Sequence, residues 1–236
     1  MNITRLSALV VQGIVLIAAP AHAGALMSAT ASLPEVDAPP QGEAQWIAQS
    51  MRMNGLPMTL KSFHSRLSAE AVLHHYDAWA RTQGRRESAQ SRNGEWLVLA
   101  IKSARHYISI QARTTLDGSH GTIAVSAVLE GAALKLDTSF PIPGTARIVN
   151  LQQYDDFGME AEHISLSSAR APHTEAFAFS QLLAREGWQL VREQRTTEGG
   201  GYVIEAQKGA QHALLTMVLD QSSASMTAVV VVWKKS

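Results

Sequence analysis

The sequence predicts an α+β protein: two related ββαββββ modules, each with one helix packed on an antiparallel sheet, and the two packed against each other. Three observations carry this. Turn dipeptides punctuate strand-like runs, apolar residues recur at helical spacing in two places, and two segments half a chain apart echo each other. Asn-Gly and Asp-Gly between alternating runs favour two-residue hairpins, because a type I′ turn needs positive φ at both central residues.

The chain opens with "MNITRL", which carries Arg5, followed by the apolar run "SALVVQGIVLIAAP" and then "AHA". A short basic start, an apolar stretch of this length and small residues at Ala21 and Ala23 make up a secretory signal peptide, residues 1–23, cleaved after Ala23. The run falls short of the roughly 20 residues a membrane-spanning helix needs, so no stable span is expected after cleavage. The expected location is the periplasm or the exterior. Residues 24–44, "GALMSATASLPEVDAPPQGEA", are small, polar and proline-bearing, which predicts a flexible leader.

The first module is expected over residues 45–130. Asn54–Gly55 separates "QWIAQSMRM" from "MTLKSFH", Asn93–Gly94 separates "ESAQSR" from "EWLVLAIK", and Asp117–Gly118 separates "HYISIQARTTL" from "TIAVSAVL". Between the first two turns, Val72, Tyr76, Trp79 and Ala80 recur at helical spacing, with Ser68 as N-cap and Gly84 as the stop. Residues 131–144, in a stretch ending "SFPIPG", read as a linker. The second module is expected over residues 145–236. Strands "ARIVNLQQY" and "MEAEHISLSS" flank "DDFG", a helix starts at His173 or Thr174 and stops at Gly187, and four further strands follow. The last, "TAVVVVW", predicts an interior strand buried on both faces.

The echo pairs "WLVLAIKSARHYISI" (96–110) with "YVIEAQKGAQHALLT" (202–216). A slide of 106 places Trp96 on Tyr202, Val98 on Ile204, Ala100 on Ala206, Lys102 on Lys208 and His106 on His212. Agreement at every second residue is the mark of one strand face packing a core. At about 90 residues each, the halves are small for independent cores, so mutual packing is expected.

Composition excludes several functions. With 20 Lys+Arg against 20 Asp+Glu and no basic block, the chain lacks the charge of a non-specific nucleic-acid binder. With zero cysteines, disulfides, thiolate nucleophiles and zinc knuckles are all ruled out. Lys102, His106, Lys208 and His212 are the candidate binding residues, since related modules could bring both hairpin tips to one cleft. Their bland reading is solvated corner lysines and cross-strand histidines. His74 and His75, with Asp77 nearby, point about 100° apart on a helix and fall short of three metal ligands. Asp155–Asp156 fits a turn better than an acid–base pair. "DGSHG" (117–121) has Asp117 where a nucleophile elbow needs glycine, and the glycines 199–201 lack a phosphate loop's lysine.

No catalytic set, metal or cofactor is therefore assigned. The expected function is that of an exported, non-enzymatic binding or envelope- or secretion-assembly protein with a protein partner in the cell envelope. The alternatives are a hydrolase-like enzyme with a cleft between modules, using His106 or His212 as base, and a small-ligand carrier.

Overall fold

A computed structural model describes residues 33–84, 87–128, 136–156, 159–196, 200–220 and 225–235. The expected signal peptide, the leader to residue 32, residues 129–130 at the end of the expected first module, residues 131–135 of the expected linker, Phe157–Gly158 of the "DDFG" turn and Gly199 lie outside the described residues. The protein is α+β, and its described residues form two helices on an antiparallel sheet.

The first half runs β1 (Gly42–Met53), β2 (Leu56–Ser65), α1 (Ala69–Thr82), β3 (Glu87–Asn93), β4 (Trp96–Lys102), β5 (His106–Thr115) and β6 (Gly118–Ala127). The second runs β7 (Arg147–Asp156), β8 (Met159–Ser168), α2 (Pro172–Arg185), β9 (Gln189–Arg195), β10 (Tyr202–Lys208), β11 (Gln211–Asp220) and β12 (Ser225–Lys235). All twelve strands form one sheet in the order β3-β4-β5-β6-β2-β1-β7-β8-β12-β11-β10-β9. The halves therefore meet edge to edge and share a sheet, where the sequence led us to expect packing of face on face. The seam is short: Met51 pairs with Tyr154, Arg52 with Gln153 and Met53 with Gln152. Asn54, at φ 53°, extends it. Its backbone N–H donates to the Leu151 carbonyl (2.7 Å) and its side-chain oxygen accepts from the Leu151 N–H (2.8 Å).

Local chemistry explains the elements. The Ser68 side chain accepts from the Ala71 N–H at the start of α1, and Val72, Leu73, Tyr76 and Ala80 line its buried face. α2 begins one turn position earlier than its His173/Thr174 reading, with Pro172 just inside the helix, where a missing N–H costs nothing. Two hairpins turn one residue away from where the dipeptides point. Asn93 pairs with Trp96, so Gly94–Glu95 form the corner, and Thr115 pairs with Gly118, so Leu116–Asp117 do.

Strand parity sorts the side chains onto two faces. Leu99, Ile101, Ile108, Ile110, Ile123 and Phe63 face α1 in one core. Leu151, Ile164, Leu166, Ile204, Leu215 and Val230 face α2 in another. Because Met51 and Tyr154 are opposed across the seam, parity puts both helices on the same side. Proline-bearing straps complete that side. Within the expected leader, Val36 is buried, Asp37 O accepts from the Tyr76 hydroxyl and Pro40 O accepts from the Ser65 hydroxyl. Lys61, itself buried, donates to Glu35 and to Val36 O. Within the expected linker, Phe140 packs edge-on to Trp188, and just after it Thr145 donates to the fully buried Glu175, which also accepts from Ser168. β12 lies inside the sheet between β8 and β11, with Val230 and Val232 buried.

Candidate functional site

Among the described residues, no helix or strap lies on the other face of the sheet, and the chemically distinctive side chains gather there. Register draws a row across it. Glu43 (β1) opposes His64 (β2), His64 opposes His120 (β6), and His120 opposes Arg113 (β5). Trp96 of β4 continues the row.

The row is bonded internally. Arg113 Nε donates to His120 Nε2 at 2.6 Å, and the guanidinium lies over the Trp96 ring, 5.3 Å from its centroid. Trp96 and His120 meet edge to face at 5.7 Å. Arg113 also pairs with Glu95 (3.6 Å), and His64 Nε2 lies 3.6 Å from Asp117. Burial, then the Arg113 and His64 charges, push the His120 pKa below its ordinary value, with Asp117 opposing. Asp117 is held low, first by the Thr115 hydroxyl.

Beside the row lies an apolar cluster at the middle of the sheet: Ala48, Met51, Met53, Met58, Leu60 and Ala124, with Tyr154 packed against it. Methionine is flexible and polarisable, and suits surfaces that adapt to a partner. Across the seam stands His163, paired in register with Gln152 and Val231. Its Nε2 is buried and, among the described residues, has no hydrogen-bond partner. Burial lowers its pKa. Farther out, Leu214 and Val218 of β11 are exposed on this face.

The four residues singled out from sequence do not meet. Lys102 pairs with Glu87 (3.6 Å), whereas Lys208 Nζ donates to the Glu186 carbonyl that ends α2. His212 stacks on Trp233 at 5.6 Å and 12°, on the helix-free face. His106 starts β5 at the parity of Ile108 and Ile110, toward α1. β5 and β11 are seven positions apart in the sheet, roughly 33 Å along it at ~4.8 Å per strand. The slide of 106 does not keep strand faces together. Leu99 pairs with Ile110 and Ile101 with Ile108 on the α1 side, and Ile204 pairs with Leu215 and Ala206 with Ala213 on the α2 side, residues whose numbers differ by 105. A one-residue slip exchanges the faces of a strand. That is why Lys102 and Lys208, aligned by letter, point to opposite sides.

Asp77, beside His74 and His75, accepts from Ser88 and Arg81 (both 2.6 Å). Among the described residues, no three His, Asp or Glu side chains are grouped to hold a metal ion. Nor is any helix long and apolar enough to cross a membrane. Sequence reasoning missed the row because Glu43, His64, Trp96, Arg113 and His120 are scattered over nearly eighty positions. Parity within each strand was readable, but the register between β2 and β6 was not. Compared with protein-family models, with curated proteins and with solved structures, the chain matches none.

Proposed function

We propose that this is an exported, non-enzymatic binding or assembly protein of the cell envelope, and that the helix-free face of its sheet is where a protein partner docks. One observation carries the reading. The side that holds the helices and straps is occupied by the chain itself, while the other side presents Trp96, Arg113, His64 and His120 beside an adaptable methionine cluster. Aromatic residues, arginine and methionine are enriched in protein interfaces. The alternative of a hydrolase with His106 or His212 as base has no observation in its favour, since the two histidines face opposite sides of the sheet. Export rests on the amino-terminal pattern of residues 1–23.

We also infer that the halves are two related ββαββββ modules. Five buried positions of α1, namely Ala69, Val72, Leu73, Tyr76 and Ala80, recur 103 residues later as Pro172, Glu175, Ala176, Phe179 and Leu183. Ser65 and Ser168, also 103 apart, each accept from the backbone N–H two residues on. Tyr154 stands 103 residues after Met51, its partner across the seam, as a two-fold axis through that pair would require.

A photo-cross-linking side chain placed at Ser109 or Thr122, on the helix-free face, tests the docking reading in the native host. Both positions should capture the same envelope protein, whereas the exposed His74 position on α1 should not. Capture from His74 alone, or no capture from either sheet position, would overturn it.

A further inference from the structure

We propose that the Arg113–His120 bond is an acid-released latch on the helix-free face. The inference rests on the docking reading, whose surface it would regulate. A guanidinium is always protonated and only donates, so the 2.6 Å contact from Arg113 Nε requires a bare lone pair on His120 Nε2. The imidazole is then neutral, with its proton on Nδ1. A proton arriving at Nε2 turns that nitrogen into a donor. The bond is lost, and a second cation stands against Arg113.

The groups around His120 make this a change of state for the whole row. Arg113 faces it from β5 and His64 from β2. Asp117, in the β5–β6 turn, is the carboxylate that favours the protonated ring, but it accepts from Thr115 and lies beside His64. Glu95, in the β3–β4 turn, is paired with Arg113 itself, and Glu43 of β1 stands beyond His64. Trp96 contributes no charge, yet it touches both members of the latch, so its ring senses the release. Histidine is the side chain whose ordinary titration falls between about pH 5 and 8. Mild acid therefore converts the Arg113–His120 pair from one fixed cation, bonded and stacked, to two adjacent cations, with the arginine released from the imidazole. The effect is to present positive charge to an approaching partner.

The test is made on the free full-length chain by nitrogen NMR, with no partner present. At neutral pH, His120 should be the Nδ1–H tautomer and the Arg113 Nε–H should be slow to exchange. On acidification, the His120 ring, the Arg113 Nε–H and the Trp96 indole should shift together, with one midpoint below the ordinary histidine value of 6.5. His120→Gln keeps an acceptor that takes no proton, so the Arg113 and Trp96 signals should then stay still through the same range. His64→Gln should keep the coupled transition and move its midpoint upward, since the His64 charge opposes protonation of His120. An Nε2–H tautomer at neutral pH, or an Arg113 signal that ignores the His120 titration, would overturn the latch. Either result leaves the docking face standing, and a failed cross-linking search leaves the latch standing.

Discussion

His163 places a polar ring on the inner part of the sheet with its Nε2 buried and unanswered among the described residues. Leu60, 103 residues earlier on the same face, lies between Ala48 of β1 and Ala124 of β6. A buried polar atom without a partner costs about 1–3 kcal/mol, so His163→Leu should stabilise the protein by that order. The pH dependence has a definite sign. Burial lowers the folded-state pKa of His163, and burial with Arg113 and His64 lowers that of His120, so the folded form binds protons less readily than the unfolded chain. Their stabilising contribution is complete above the unfolded value and declines as pH falls through 6.5 toward the folded values. Urea midpoints measured from neutral to mildly acidic pH should fall, and fall less in His163→Leu. A midpoint indifferent to acid, or an unchanged slope in the variant, would contradict this.

At the scale of elements, β6 depends on a residue with no side chain. Gly121 pairs with Phe63 and Ala112, and a Cβ there would lie 1.8 Å from the Gln111 carbonyl oxygen and 2.7 Å from the Phe63 ring. Gly121→Ala should therefore cost at least ~1–3 kcal/mol of overpacking. Gly144→Ala, with nothing within 4 Å of the new methyl, should be close to neutral. Equal thermal midpoints for the two variants would refute this account of the β2–β6 contact. The elements were largely legible in the sequence, because hairpin corners and helix caps are local chemistry. The Ser68 cap and the corner at Asn54–Gly55 stand where the residues point. The straps were not legible. A proline-bearing polar stretch resembles a leader or linker until Tyr76, Lys61, Ser65 and Glu175 are seen to hold it.

At the scale of the molecule, two cores on one side of one sheet are joined by a three-pair seam and the Asn54 clamp. The chain has no cysteine, which makes the seam easy to interrogate. Directly opposed residues on antiparallel strands lie about 4.5–5.5 Å apart at Cα, within reach of a disulfide. Arg52→Cys with Gln153→Cys should close a bond under mild oxidation. The cross-link spans about 100 residues and should raise stability by about 3–5 kcal/mol. Thiols that stay free under oxidant would mean that β1 and β7 are not neighbours.

By itself the sequence determined what nearest neighbours decide: where the chain turns to within a residue, which stretches are helical, which residues of a strand share a face, and that no thiol chemistry occurs. Only the tertiary structure decided which strands lie side by side and in what register. Parity fixes a face for each strand but leaves open which residues of a distant strand stand opposite. Lys102 and Lys208, aligned by letter, therefore stand on distant strands and opposite faces, while the register that formed brought His64, His120, Arg113 and Trp96 into one row.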